Sequence, residues 1–214
     1  MCFSAPASFT AAAVLLGTGI VTVRRVRAWR EVPYAAIPLL FGIQQLLEGM
    51  LWLTFPDRAP LLKVVLTHLY SFFSHVLWPI YVPLAALALE TVPWRRRVLA
   101  GIALAGALVG VYLLVMLVRL PITARVVGQH IFYDSPHFYV LTTMALYLIG
   151  TCAGLMVSSH RRVAAFGNAA FVSAVAAYFF YATWFISVWC FFAGVLSIIV
   201  LWQFREPRAR LAVQ

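Results

Sequence analysis

Three ionisable side chains lie inside apolar runs long enough to cross a bilayer. They are Glu48, within the stretch 41–52, and His68 and His75, within 67–78. An ionisable group at that depth is costly, so by default it marks a candidate functional site. Carboxylate with imidazole is a donor set that suits zinc, iron or copper. With one coordination position open, it supports metal-assisted hydrolysis or redox chemistry. In that reading His68 and His75 are ligands and Glu48 is a ligand or the catalytic general base. Two other readings stand beside it. One makes a histidine an axial haem ligand or a step on a proton path. The other is structural: Glu48 pairs with His68 and the glutamines Gln44 and Gln45 with His75, a buried network that fixes helix register. No His-x-x-x-His or Glu-x-x-His pair occurs in the chain, so spacing alone does not choose among them.

His130 and His137 fall in the one long connection, 119–137, and are placed to complete a metal shell from above. His160 sits beside Arg161 and reads as interfacial. Of the three cysteines, Cys152 reads as a buried small hydrophobe. Cys2 and Cys190 both fall toward the outer side, where an oxidising exterior permits a disulfide tying the first helix to the last. The alternative places Cys2 in the metal shell.

These residues need elements to position them. The chain has 214 residues, 64% hydrophobic and 10% charged, with a formal charge of +10. A soluble domain is about half apolar and about a quarter charged, so the composition is that of an integral membrane protein. The basic excess sits in arginine clusters between apolar runs, which argues for membrane-flanking loops rather than nucleic-acid binding. The first run carries its arginines after it, not before, the reverse of a secretory signal.

A spanning helix needs roughly 20 apolar residues. The runs predict seven spans, near 6–23, 33–55, 61–89, 98–118, 138–157, 163–183 and 187–204, in one all-α domain covering 1–214. The 163–204 run is too long for one helix and is split near 184–187. Pro79 and Pro83 predict kinks in the third span, and Gly106-x-x-x-Gly110 predicts a close helix contact in the fourth. A short hairpin or interfacial segment between spans four and five caps the bundle. One set of alternate loops holds Arg24, Arg25, Arg27 and Arg30, then Arg95 to Arg97, Arg161 and Arg162, and Arg205, Arg208 and Arg210. The other set holds Arg58, Lys63, Arg119 and Arg125. That bias predicts an outside N-terminus and a cytoplasmic C-terminus.

On this plan span two rises to the outer face and span three descends from it. Glu48 and His68 then lie at matching depth, roughly 10 Å below that face at 1.5 Å per residue. His75, seven residues beyond His68, is expected on the same helix face.

Met1-Cys-Phe-Ser-Ala5, Gln44-Gln45-x-x-Glu48-Gly49-x-x-Trp52, His75-x-x-Trp78-Pro79 and Trp189-Cys190 resemble a bacterial family of multi-pass membrane proteins, a domain of unknown function. The resemblance implies a bacterial inner-membrane location and no particular activity. The seven-span, N-outside plan is also similar to the metal-dependent membrane hydrolases of the alkaline ceramidase and progestin-receptor-like superfamily. This chain departs from them in having no paired late histidines and no matching intramembrane aspartate.

The expectation is thus a seven-helix membrane protein with a divalent metal at Glu48, His68, His75 and His130, a hydrolase or redox enzyme. The competing class is a non-enzymatic protein holding haem, a pigment or a lipid-like ligand, or an accessory subunit of a larger membrane complex. The lipid bilayer is the partner common to both.

Overall fold

A computed structural model describes residues 4–56, 58–136 and 138–204. Helices dominate. The first, α1 (Ala5–Arg24), starts at Ser4, whose hydroxyl accepts from the Ala7 N–H, with Pro6 where a missing N–H costs nothing. It runs antiparallel to α2 (Trp29–Leu53) in close contact: Gly19 lies against Leu39, Gly42 against Leu16 and Gly49 against Phe9. A Cβ at Gly19 would sit 2.5 Å from the Leu39 nitrogen, so that crossing admits only glycine.

The next pair is α3 (Pro60–Leu89) and α4 (Pro93–Arg119). Prolines shape their contact. Pro79 has no N–H for the residue 75 carbonyl and would crowd it in a regular helix. The helix responds with a π turn over Phe72–Leu77 just before it. Pro83 likewise leaves the Pro79 carbonyl without its i+4 donor. That exposed carbonyl meets Gly106 of α4, where a Cβ would lie 2.0 Å from the oxygen. Gly110 packs on Ile80 and the Val76 carbonyl in the same way, so the Gly106/Gly110 face makes the close contact expected of it.

A β-hairpin comes next: β1 (Thr123–Val127) pairs antiparallel with β2 (His130–Asp134), Val127 opposite His130. Gly128 opens the two-residue turn at φ 63°, the position where this turn geometry requires glycine. The all-α expectation is therefore modified by one small sheet. His130, expected in a loop, is a strand residue.

Helix α5 (Val140–Met156) is shorter and carries a second π turn at Ile149–Ala153. Gly150 and Gly154 in this stretch pack on Pro79 and Pro83, so α3, α4 and α5 meet at one crowded crossing. The last apolar run, Arg161–Gln203, folds back on itself. Helix α6 (Arg161–Tyr181) ends at a tight turn, Ala182–Trp184, and α7 (Phe185–Leu196) with α8 (Ile199–Gln203) returns along it. Trp189 Nε1 donates to the Ala170 carbonyl, and an Arg162 guanidinium N–H to that of Trp202, which fixes the antiparallel sense. The break falls just before the 184–187 expected.

Among the described residues five helical runs, Arg161–Gln203 counted once, are long and apolar enough to cross a membrane, and Val140–Met156 is a shorter apolar helix.

At one end of the bundle, loops 90–92 and 157–160 lock together. The Glu90 carboxylate accepts from the N–H groups of Thr91, Val92 and Ser159 and from the Ser159 hydroxyl, at 2.7 to 3.0 Å. Arg96 donates to the Glu90 carbonyl and Arg95 to that of Val157. Desolvation would raise the Glu90 pKa; those donors outweigh it and hold the group at about 2 instead of 4.5.

Candidate functional site

The opposite half of the bundle holds the residues singled out by chemistry. Glu48 projects from α2 into the core and is fully buried. One carboxylate oxygen accepts the Ser187 hydroxyl of α7 at 2.7 Å, and the other accepts Gln45 Nε2 at 3.2 Å. One turn back, Gln44 Oε1 accepts Trp78 Nε1 of α3 at 2.7 Å. The Cys190 thiol lies among Gln44, Glu48 and Tyr70. Tyr70 in turn stacks flat on Tyr133 of β2 at 4.5 Å. Helices α2, α3 and α7 and the hairpin thus meet around one polar centre in an apolar core.

His75 occupies a separate position. Its Nδ1 lies 3.1 Å from the Ser71 carbonyl and 2.8 Å from the Ser74 hydroxyl, and its Nε2 lies 3.0 Å from Ser135 Oγ. A carbonyl only accepts, so Nδ1 carries the proton and Nε2 accepts from Ser135. The hairpin's trailing end is therefore tied to the π turn of α3.

His68 does not join either group. It is partly exposed and its Nδ1 bonds the Val64 carbonyl of its own helix at 2.8 Å. The expected shared face with His75 is broken by the π turn, which holds one extra residue and rotates the rest of the helix by about 100°. His130 is taken up at the α6–α7 turn, its ring 4.8 Å from Trp184 and 5.8 Å from Tyr181. Burial pushes its pKa below the usual value.

Among the described residues no group of three or more His, Cys, Asp and Glu side chains comes together as a metal ion requires. Glu48, His68, His75 and His130 each find different partners. Cys190, expected in a disulfide with Cys2, is a free buried thiol; Cys2 and His137 lie outside the described residues.

What the site does contain is space. Between His75 and the core is a cavity of about 90 Å³, bounded by Ser74, Leu113, Met144, Phe185, Trp189 and Cys190. A smaller void of about 30 Å³ adjoins it through Tyr147, Trp189 and Cys190 and reaches Trp78 and Cys152. Tyr147 donates its hydroxyl to the Ser74 carbonyl, which the π turn leaves outside the regular helix ladder. Gln45 Oε1 and Ser71 Oγ, both fully buried, have no hydrogen-bond partner among the described residues, as do Ser8 Oγ and Tyr34 OH elsewhere in the core. Such atoms are rare and point to water or ligand.

Ser187, Ser135, Tyr147 and Trp189 were not singled out from the sequence as site residues. Ser187 falls at the break between the last two helices, which no Gly or Pro marks, and Trp189 is visible only as part of a resemblance. A serine or tyrosine on an apolar helix carries no signal of which long-range partner it meets.

No curated protein matches the chain, and no solved structure does. One family matches over residues 1–214, that is, over the whole sequence. The chain belongs to the DUF6629 family, a family of unknown function.

Proposed function

We propose that this is an integral membrane protein of seven spans, N-terminus outside, that holds a small lipid-like molecule in the half of the bundle capped by the hairpin. Seven crossings result from counting Val140–Met156 as one and the folded-back Arg161–Gln203 run as two. The arginine distribution orients them, with the Glu90 latch on the cytoplasmic side.

The observation that carries the binding reading is the cavity beside His75. Its walls are mostly aliphatic and aromatic, with a few polar groups among them, His75, Ser74, Thr143 and Cys190. That is the composition of a ligand site: apolar walls supply affinity and a few placed polar groups supply orientation. A dry apolar cavity of roughly 150 Å³ takes up benzene; at about 90 Å³ this one takes a smaller apolar group, the end of a hydrocarbon chain. A hydroxyl or carbonyl of the ligand would meet His75 or Ser74, and its hydrocarbon part the Leu113, Phe185 and Trp189 walls.

Solvent extraction of the purified protein, followed by mass spectrometry, tests this. One lipid-like compound in stoichiometric amount is expected, reduced in His75→Ala. A wild-type protein that yields no such compound, or that carries a stoichiometric transition metal by elemental analysis, would refute it.

A further inference from the structure

Helices α4 and α5 touch at the Gly106–Gly150 crossing, where a Cβ on Gly150 would lie 3.3 Å from the Gly106 Cα. Toward the hairpin they separate and leave a groove of about 240 Å³ between Leu108, Val109 and Tyr112 on α4 and Tyr139, Thr142 and Leu146 at the start of α5. The wedge has a structural cause. Glycines clamp the two helices to the exposed Pro79 carbonyl at one level, and larger side chains hold them apart above it.

Three features make this wedge more than an irregular surface. It opens among side chains that face outward, Leu108 at 64% exposure and Leu141 at 85%. Thr143, a buried residue, lines both the groove and the cavity beside His75, so the two adjoin at that side chain. Its rim is strained. Tyr139 takes φ 56°, a left-handed conformation that a bulky residue adopts only under strain. The neighbouring Phe138 is held in place by Tyr112, whose hydroxyl donates to the Phe138 carbonyl and accepts its N–H.

We infer that the α4–α5 wedge is a lateral portal through which the hydrocarbon tail of a membrane lipid passes from the bilayer, past Thr143, into the internal cavity. The inference rests on the cavity being a lipid-like site and adds the phase from which its ligand comes. A molecule dissolved in the bilayer meets the wedge directly and crosses no aqueous boundary. The apolar walls of the groove and of the cavity adjoin at Thr143, so the tail fills the two together. Thr143 is then a positioning residue at the threshold.

The test uses the full-length protein in vesicles containing a phospholipid with a diazirine at the end of one acyl chain. After irradiation, adducts are mapped by peptide mass spectrometry. In the wild type, adducts are expected on groove residues and on Met144, Phe185 and Trp189 inside. Leu108→Trp combined with Thr142→Trp fills the groove from two outward-facing positions. It should lower the inner adducts roughly tenfold, the effect of about 1.4 kcal/mol on an access barrier, while leaving adducts elsewhere on the surface unchanged. The matching alanine pair should keep or raise them. Inner adducts at wild-type yield in the tryptophan pair, or none in the wild type, would overturn the portal. Extracting resident ligand from the same samples separates the two claims. Ligand present with unchanged inner adducts sinks the portal alone. Inner adducts without resident ligand keep the portal and sink the binding reading.

Discussion

Glu90 and Glu48 are both buried carboxylates, and they are buried for different reasons. Glu90 closes two loops at one end, and the donors around it are local backbone and hydroxyl groups aimed at its oxygens. Glu48 sits where three helices and a hairpin converge, with Gln45 Oε1 left without a hydrogen-bond partner among the described residues, while Cys190 beside Glu48 also lines the cavity. The first arrangement is saturated and serves architecture. The second is built around a gap, and gaps in an interior packed as densely as a protein's mark places where something else fits.

The contrast can be broken by mutation, and the largest effect belongs to the saturated end. Glu90→Ala leaves several donors facing no acceptor and should cost about 3 kcal/mol of stability, read as a lower unfolding midpoint in detergent. Its pH dependence has a definite sign. With the folded pKa lowered from 4.5 to about 2, Glu90 contributes stability above pH 4.5 that is lost as pH falls toward 2. Glu90→Gln should flatten the unfolding curve in that window. An unchanged acid profile would mean the latch carries no weight.

Next is Gly106→Ala, which forces a methyl group onto the Pro79 carbonyl. Overpacking of this kind costs about 1–3 kcal/mol, and thermal unfolding should show it. A neutral result would contradict the crossing that shapes the wedge. At the hollow end the balance reverses. His75→Ala should change stability less than ligand retention, lowering affinity by about tenfold, or about 1.4 kcal/mol, through loss of one charge-free hydrogen-bonding partner. Comparing extracted ligand with the unfolding midpoint distinguishes this from general damage. Ser135→Ala should be the mildest, about 1 kcal/mol or less in stability, since it removes one hairpin contact with His75.

The helices were legible because a 20-residue apolar run bounded by arginine has few other solutions. Even the fold-back in Arg161–Gln203 was implied by its length. Local irregularity was not legible. Counting seven residues from His68 to His75 assumes a uniform 100° step, and Pro79 had already changed that step upstream. A hairpin was one of the two forms expected for the cap, but its strand bounds were not legible, because five-residue segments such as Thr123–Val127 carry too little pattern. Glu48, singled out as a carboxylate in an apolar run, is fully buried in the protein. Its neighbours Ser187 and Cys190, some 140 residues away, depend on how α7 packs against α2, which no local spacing encodes.

The central claim is that the cavity beside His75 holds an apolar molecule. Native mass spectrometry of the wild type, Met144→Trp and Glu90→Gln tests it side by side. Met144 lines the cavity and a tryptophan there fills it. The account predicts one lipid-sized adduct on the wild type and on Glu90→Gln, and none on Met144→Trp. Equal adduct on all three, or an adduct-free wild type, would contradict it.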